Sequence, residues 1–197
     1  MTAPVGRPRL FDLPTAVRTA QSVFWQHGYE ATSLAMLAKA IGVHKPSLYA
    51  AYGDKRALYL EAYDAYQRDS GKLVVAALSR PHLRNAIGAF FEADIDLFTS
   101  ETGTGCFMLA TALPLAGTDP GIADRVRMAL SGLRTALLER FERAANSGEL
   151  TSRLDAESAT DLALSVHIAL ANRARSGEPR AALEASARRL TDVLCAI

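Results

Sequence analysis

The sequence predicts an all-α fold, because helical periodicity, frequent helix-start signals and the absence of hairpin signals agree. The apolar spacing i, i+3, i+4 and i+7 occurs from Leu34 to Ile41 and again from Ala159 to Val166. No turn dipeptide lies between alternating apolar residues, and the chain has no internal repeat. We therefore expect a bundle of about nine helices.

Aspartates stand where several of these helices should begin. Asp119 precedes Pro120, which suits the first turn of a helix, and Asp54 and Asp155 precede helical runs as N-caps. The segment "SETGTG" at 100–105 has the composition of a flexible interior loop. The predicted helices are 13–27, 33–41, 45–52, 54–78, 82–100, 106–114, 119–146, 155–175 and 179–196.

Composition limits the class of protein. With 197 residues and 49% hydrophobic content, the chain can bury a core and form one or two compact domains. It has two cysteines and no secretory leader pattern, and its longest nearly apolar run, at 106–117, is shorter than the roughly 20 residues of a membrane-spanning helix. We expect a soluble, cytoplasmic protein without a disulfide framework.

The charge is unevenly distributed. Residues 1–56 contain seven Lys or Arg and three Asp or Glu, a net charge of +4, whereas residues 57–197 carry −3 and the whole chain carries +1. An excess of positive charge at one end is typical of a phosphate-binding module attached to a neutral body.

Residues 41–52, "IGVHKPSLYAAY", have the spacing of a helix-turn-helix and contain no acid. Gly42 can take the left-handed conformation that ends one helix, and Pro46 is tolerated in the first turn of the next. An acid on the exposed face of this second helix would repel phosphate, so its absence favours DNA binding. The residues expected to contact DNA from this helix are His44, Lys45, Pro46, Ser47 and Tyr49.

Two function classes remain open on this reasoning, since helix-turn-helix geometry also joins ordinary packed helices. The first is a DNA-binding regulator. The second is a helical interaction or small-molecule-carrier domain whose basic end is incidental. The salt dependence of DNA binding distinguishes the two classes. Binding that depends on phosphate contacts weakens steeply as the salt concentration rises, whereas the second class binds no duplex DNA at any salt concentration.

Tyr49 and Tyr52 have different expected roles in this region. Tyr49 either packs inside or presents its ring and hydroxyl to DNA, and the contact is preferred because Leu48 already fills the inward position. Tyr52 falls near Leu48 and is expected to close the small core. Arg7 and Arg9 belong to a loose arm that suits the minor groove, or else are ordinary solvated cations.

Three further residues are candidates for contacts to the DNA backbone. Lys55 starts the predicted fourth helix, where its charge and the unpaired backbone N–H groups can bind phosphate, unless it is merely solvated. Thr32 and Ser33 can cap the second helix and can also hydrogen-bond the DNA backbone; capping is the safer expectation.

The block at residues 6–62 closely resembles the DNA-binding domain of tetracycline-repressor (TetR) family regulators. Its marks are "HGYEATS" at 27–33, the "LAKAIGV" turn, "SLYAAY" and "DKRAL" at 54–58. This sequence departs from the commonest pattern at three positions that bear on the operator sequence: His44, Ala50 and Tyr52.

The resemblance implies a homodimeric repressor that leaves a double-stranded DNA operator when a small molecule binds. It implies a helix-turn-helix domain with a basic N-terminal arm over 1–56 and an effector-binding and dimerisation domain over 57–197. The operator would be palindromic.

The second domain offers a tentative effector pocket. Apolar residues at helical spacing more often pack in a core than line a ligand site. For the two polar candidates, His167 and Asn172, a structural hydrogen bond is the first expectation. The candidates are Phe90, Phe91, Phe98, Cys106, Phe107, Met108, Met128, His167 and Asn172.

The last two predicted helices are aliphatic enough to pair with their copies in a four-helix dimer interface. The interface residues expected from this pattern are Leu162, Val166, Leu170, Leu183, Leu190 and Leu194.

Cys106 has two competing interpretations. It follows "TGTG" at the expected start of a short helix, where a thiol can become reactive and serve as a redox or electrophile sensor. A free cysteine among apolar neighbours is more often a buried small hydrophobe, and Cys195 gives no visible resolving partner. A non-covalent, largely apolar effector is the preferred expectation.

Motifs of catalysis and metal binding are missing. The sequence has no Cys-X-X-Cys, no His-Glu-X-X-His, no phosphate-binding glycine loop and no nucleophile elbow. The four histidines and two cysteines show no metal-ligand spacing. We expect neither an enzyme nor a protein that needs a cofactor.

Overall fold

The computed structural model describes residues 12–101, 103–150 and 154–195. Two compact units make up the chain, the first ending at Ala65 and the second beginning at Tyr66. Arg7 and Arg9 of the predicted basic arm lie outside the described residues. The predicted domain boundary after residue 56 falls near the start of the helix that continues from one unit into the other.

The first unit contains helices α1 (Leu13–His27), α2 (Leu34–Ile41) and α3 (Lys45–Tyr52), and the first half of α4 (Lys55–Leu78). These bounds agree with the predicted ones to within a residue. Local capping explains the agreement at α1, since the side chain of Asp12 accepts a hydrogen bond from the backbone N–H of Thr15 at 2.9 Å.

The core of the first unit is aromatic and aliphatic. Phe24, Leu37, Leu48 and Tyr59 are all buried. The Tyr59 ring meets Phe24 edge-on, with ring centroids 5.2 Å apart, an arrangement that aromatic pairs favour. This small core fixes the angle at which α2 and α3 cross.

The second unit is built from the rest of α4 and from four further helices. These are α5 (Leu83–Phe98), α6 (Pro120–Asn146), α7 (Ala156–Arg175) and α8 (Arg180–Leu194). No helix among the described residues is long and apolar enough to cross a membrane.

The segment between α5 and α6 differs from the prediction. A two-residue antiparallel pair, β1 (Thr99–Ser100) with β2 (Gly103–Thr104), replaces the last two residues of the helix expected to reach residue 100 and part of the expected loop. Instead of an α-helix over 106–114, the chain forms a π-helical segment (Met108–Ala112) followed by a 3₁₀ turn (Leu113–Leu115). Pro114 lacks an N–H and therefore disfavours a regular helix here.

The three predicted aspartate N-caps are confirmed. Asp54 accepts a hydrogen bond from the N–H of Ala57 at 2.7 Å. Asp119 and Asp155 cap α6 and α7 in the same way, at 3.1 and 2.7 Å. Each carboxylate satisfies a backbone donor that the first turn leaves unpaired.

Candidate nucleic-acid interface and ligand cavity

The turn between α2 and α3 forms as its sequence predicts. Gly42 has φ +79° and ψ 30°, the left-handed conformation. Its N–H and that of Val43 both donate to the carbonyl of Ala38, at 3.0 and 2.9 Å. The helix therefore ends in a satisfied cap, and three residues later α3 begins at Lys45.

The outer face of α3 carries polar and aromatic side chains but no carboxylate. Tyr49 is 51% exposed, whereas its neighbour Leu48 is buried, so the predicted outward position of Tyr49 is confirmed. His44, Lys45 and Pro46 are exposed and Ser47 is half-buried. The face combines one fixed cation with hydrogen-bonding groups and a planar ring, which are the features that a DNA groove accepts.

Tyr52 closes the small core as expected. Its hydroxyl donates a hydrogen bond to the backbone carbonyl of Leu13 at 3.2 Å. The bond joins the last residue of α3 to the first residue of α1, and so holds the DNA-facing helix in place.

Lys55 is engaged within its own unit, which neither sequence interpretation anticipated. Its Nζ donates to the carbonyls of Tyr29 and Thr32, at 3.0 and 3.1 Å, and lies 4.1 Å from the centre of the Tyr29 ring. The ammonium group therefore stabilises the turn between α1 and α2.

Thr32 and Ser33 have different structural roles. Ser33 caps α2, because its Oγ accepts the N–H of Met36 at 3.2 Å. Thr32 is buried and is not a cap; its Oγ1 donates to the carbonyl of Gly28 at 2.6 Å. Of the pair, only Ser33 has the exposure needed to meet a phosphate.

The second unit contains a cavity of about 320 Å³ between α4, α5, α6, α7 and the segment that begins at Cys106. Its lining is mostly apolar, and it includes Met128, which is 74% exposed. The cavity therefore reaches the protein surface. The predicted pocket residues that line it are Phe90, Phe98, Cys106, Met108, Met128 and His167.

Three predicted pocket residues do not line this cavity. Phe91 and Phe107 are buried in the core away from it, and Asn172 is exposed on α7.

Four polar side chains meet at the inner end of this lining: Tyr66, Asp94, Cys106 and His167, all buried. Nδ1 of His167 lies 2.8 Å from Oδ2 of Asp94, and the Tyr66 hydroxyl donates to Sγ of Cys106 at 3.3 Å. A side-chain hydrogen bond also joins Cys106 to His167. We call these four residues the polar cluster.

The polar cluster favours a charged imidazole. Burial works against the positive charge of His167, but the attraction and hydrogen bond of Asp94, with a smaller contribution from Cys106, raise the pKa of His167 to about 10. Burial raises the pKa of Asp94, and the neighbouring His167 opposes that rise. Burial also raises the pKa of Tyr66 well above its usual value, so its hydroxyl stays protonated and donates.

Sequence reasoning missed Tyr66 and Asp94. A signal for Asp94 was present, because Phe90, Asp94 and Phe98 are spaced four residues apart and share one face of α5. An acid on an otherwise apolar face requires a buried partner. Tyr66 lies among other tyrosines of α4 and carries no such local signal.

Gly105 places Cys106 against α7. It has φ +73°, and its N–H donates to the carbonyl of Phe98 at 2.8 Å. A Cβ at this position would lie 2.7 Å from the carbonyl oxygen of Ala171 and 2.9 Å from Cβ of Arg175. Only glycine fits, and the close approach brings Cys106 beside His167, one turn before Ala171.

Most of the predicted dimer residues are buried within their own chain. Val166, Leu170, Leu183 and Leu194 belong to the core of the second unit, so they have little surface left for a partner subunit to cover. Their periodicity reflects packing of α7 and α8 against the rest of the unit. Leu162 and Leu190 are half-buried and keep some surface.

Cys195 contrasts with Cys106. Both are free and buried, but Cys195 does not line the cavity. Burial raises the pKa of the Cys195 thiol to about 11. Among the residues whose placement is described, no group of three or more His, Cys, Asp or Glu side chains could hold a metal ion.

Comparison with known families gives matches to both units. Residues 16–62 match the tetR family of bacterial regulatory proteins, and residues 80–193 match a tetracyclin repressor-like C-terminal domain.

Two curated bacterial relatives are similar in sequence. The HTH-type transcriptional repressor ComR of Escherichia coli K12 is 37% identical over 125 residues, which are 62% of this chain and 60% of ComR. The HTH-type transcriptional regulator YezE of Bacillus subtilis 168 is 31% identical over 148 residues, covering 74% of this chain and 76% of YezE.

Solved structures extend the similarity to the whole fold. A cysteine mutant of the TetR family transcriptional regulator CifR, solved with 26-base-pair operator DNA, has a TM-score of 0.85 and 31% identity, covering 96% of this chain and 100% of CifR. A TetR regulator from Rhodococcus sp. RHA1 has a TM-score of 0.65 and 33% identity, covering 93% of this chain and 99% of the other.

Proposed function

The chain belongs to the tetR family of bacterial regulatory proteins and is a DNA-binding transcriptional regulator; from this premise we propose that it is a homodimeric repressor released from its operator by a small molecule. The effector binds in the cavity of the second unit. The single observation that carries the DNA-binding part is the acid-free outer face of α3, which follows a properly capped helix-turn-helix.

DNA contacts come from two kinds of residue. Lys45, Ser47 and Tyr49 on α3 reach the base edges and adjacent phosphates, because their side chains leave the first unit while Leu48 anchors the helix. Backbone N–H groups at the start of α4, near Lys55, add a phosphate site that does not need the lysine ammonium.

The size and lining of the cavity support a small, mostly apolar effector. A volume of about 320 Å³ falls at the lower end of the usual range for ligand sites, and its apolar walls favour neutral molecules. Met128 and Val75 are exposed and belong to the lining, so an effector has a route from solvent.

The homodimer uses the outer faces of α7 and α8. Val193 is 57% exposed, and Leu162 and Leu190 retain part of their surface. Aliphatic residues at these positions offer a surface that a second copy can cover. Because a twofold axis relates the two recognition helices, the operator is an inverted repeat.

Selection from a randomised pool of DNA duplexes, followed by fluorescence anisotropy on the selected sequence, tests this proposal. We expect an inverted repeat whose binding weakens steeply with salt, as counterion release requires. A helical carrier or interaction domain gives no enriched sequence and no duplex binding at low salt. That result would contradict the proposed function.

A further inference from the structure

The polar cluster is an unusual lining for a cavity whose other walls are apolar. Buried polar groups are normally isolated structural pairs, but here a thiol, an imidazole, a carboxylate and a phenol share one network. All four residues line the space in which an effector binds. Their chemistry therefore bears directly on the class of effector.

The contacts within the cluster place a potential nucleophile next to an oriented imidazole. Cys106 hydrogen-bonds with the imidazole of His167, and Asp94 holds Nδ1 of that imidazole. Because Nδ1 is occupied, Nε2 is the ring nitrogen left for the sulfur. A nucleophile, a protonated imidazole that can act as a general acid and a carboxylate that orients the imidazole are parts that covalent addition can use.

Tyr66 completes the arrangement from another helix. Its hydroxyl donates a hydrogen bond to Sγ of Cys106 at 3.3 Å, so the sulfur lies between a phenol and an imidazole. Asp94 and Cys106 are the charged or titratable groups that act on the imidazole of His167.

We propose that Cys106 binds the effector covalently, by adding its sulfur to a small, uncharged α,β-unsaturated carbonyl compound held in the cavity. This inference rests on the proposed function, since it names the effector class of the same cavity. Asp94 is a positioning residue, and His167 is the proton carrier.

The addition is balanced without any further reactant. The thiol of Cys106 releases its proton to water as the electron pair of its sulfur forms a bond to the β-carbon. The π electrons of the carbon–carbon double bond shift to give an enolate, and the proton on His167 passes to the α-carbon. The product is a neutral thioether that keeps every atom of the effector, and the ring regains a proton from water.

The rest of the cavity favours this class over an oxidant. Phe90, Phe98 and Met108 surround the thiol with apolar surface that a small polar peroxide does not use. Disulfide formation within the cavity has no second thiol, because the chain has two cysteines and Cys195 lies elsewhere. A thiolate reacts readily with a polarised carbon, and apolar walls concentrate a neutral compound beside it.

Addition at Cys106 acts on α4. The new carbon substituent must occupy space beside Tyr66, whose hydroxyl now donates to the sulfur. Tyr66 belongs to the same helix as Lys55, which lies in the first unit. The adduct therefore disturbs a helix that the two units share.

The chain provides its own control for the chemical test, because Cys106 and Cys195 can be compared in one molecule. The wild-type protein is incubated with cyclohexenone at pH 7, and intact mass and peptide maps are followed over time. We expect one probe mass on Cys106 and a rate at Cys195 lower by about 100-fold, a typical contribution of general acid–base assistance. Equal rates at the two thiols, or no adduct on Cys106, would overturn the inference.

Variants test how the thiol is assisted. Asp94→Asn should slow addition to Cys106 by about 10- to 100-fold and shift its pH profile, whereas Cys195→Ser should leave it unchanged. Tyr66→Phe provides a second, milder change if Asp94→Asn does not fold. A rate and pH profile that neither Asp94→Asn nor Tyr66→Phe alters would contradict the assisted mechanism.

Operator binding distinguishes this inference from the proposed function. Cyclohexenone should release wild-type protein and Cys195→Ser from the selected operator, but not Cys106→Ser. Release from Cys106→Ser as well would overturn covalent capture and leave a ligand-responsive repressor. An adduct on Cys106 without any release would contradict the effector role in the proposed function and leave the reactive thiol assigned.

Discussion

Nδ1 of His167 lies 2.8 Å from Oδ2 of Asp94, and both residues are buried in the second unit. An ionised pair of this kind is held by charge-assisted hydrogen bonding, and removing one partner leaves the other uncompensated. The pair is therefore a structural element of the cavity as well as part of its chemistry.

The first prediction concerns the pH dependence of stability. Because the folded-state pKa of His167 is raised to about 10, its contribution to the free energy of unfolding is complete below the unfolded value of about 6.5 and is lost as pH rises toward 10. Urea unfolding should therefore show the stability difference between wild type and His167→Gln shrinking by more than about 1 kcal/mol between pH 6 and 10.

His82→Gln is the matched control for that experiment. His82 belongs to the same unit but its side chain is 76% exposed. Its substitution should change stability by less than about 0.5 kcal/mol at either pH. A constant difference between wild type and His167→Gln across this range would contradict an ion pair with Asp94.

The second prediction concerns Gly105. Alanine there must adopt φ +73° and place Cβ 2.7 Å from the carbonyl of Ala171, so Gly105→Ala should lower the free energy of unfolding by about 2 kcal/mol or more. Gly88→Ala is the control, because its Cβ meets nothing within 4 Å in α5. Helix propensity should make this control more stable by roughly 0.5–1 kcal/mol. Equal thermal stability of the two variants would refute the close approach.

The features of the fold that the sequence predicts are those set by contacts between residues close together in the chain. The start of α1, the end of α2 and the start of α3 agree with the sequence because Asp12, Gly42 and Pro46 act on backbone groups a few residues away. The polar cluster was not predictable in the same way. Asp94 and His167 are 73 residues apart, and only the packing of α5 against α7 brings them together.

Apolar spacing alone did not distinguish a dimer interface from the core of one chain. Leu170 and Leu183 have the apolar spacing of an interface, but the same spacing describes a helix packed inside its own unit. Periodicity identifies the apolar face of a helix and not the molecule that covers it. Lys55 shows the same ambiguity, because a cation at the start of a helix can bind nearby backbone carbonyls as well as a phosphate.

The third prediction separates the roles of Lys45 and Lys55. Lys45→Ala should weaken operator binding by about 1–3 kcal/mol without changing stability, because the side chain is exposed. Lys55→Met should lower the stability of the first unit by about 1–3 kcal/mol, because two backbone carbonyls lose their donor. Anisotropy and thermal melting on both variants provide the measurements. A Lys55→Met protein that melts like wild type would contradict the structural role.

The fourth prediction concerns Tyr49. Because Tyr49 is half-exposed and Leu48 holds α3 in the core, Tyr49→Ala should weaken operator binding by about 1–3 kcal/mol and leave the melting temperature unchanged. Lys72→Ala is the control, since Lys72 is an exposed cation in the second unit whose Nζ lies 3.0 Å from Oδ1 of Asp69. Unaltered affinity of Tyr49→Ala for the operator would remove this residue from the interface.

The last prediction concerns the dimer. Val193→Glu places a charge on the outer face of α8, where the proposed partner covers apolar surface, so light scattering should report the monomer mass and operator binding should fall with it. Leu113→Glu, at an exposed apolar residue outside α7 and α8, should remain a dimer. Leu170→Glu should unfold the second unit rather than dissociate a folded dimer, because that side chain has no exposed surface. If Val193→Glu keeps twice the monomer mass, the interface lies on another face of the second unit.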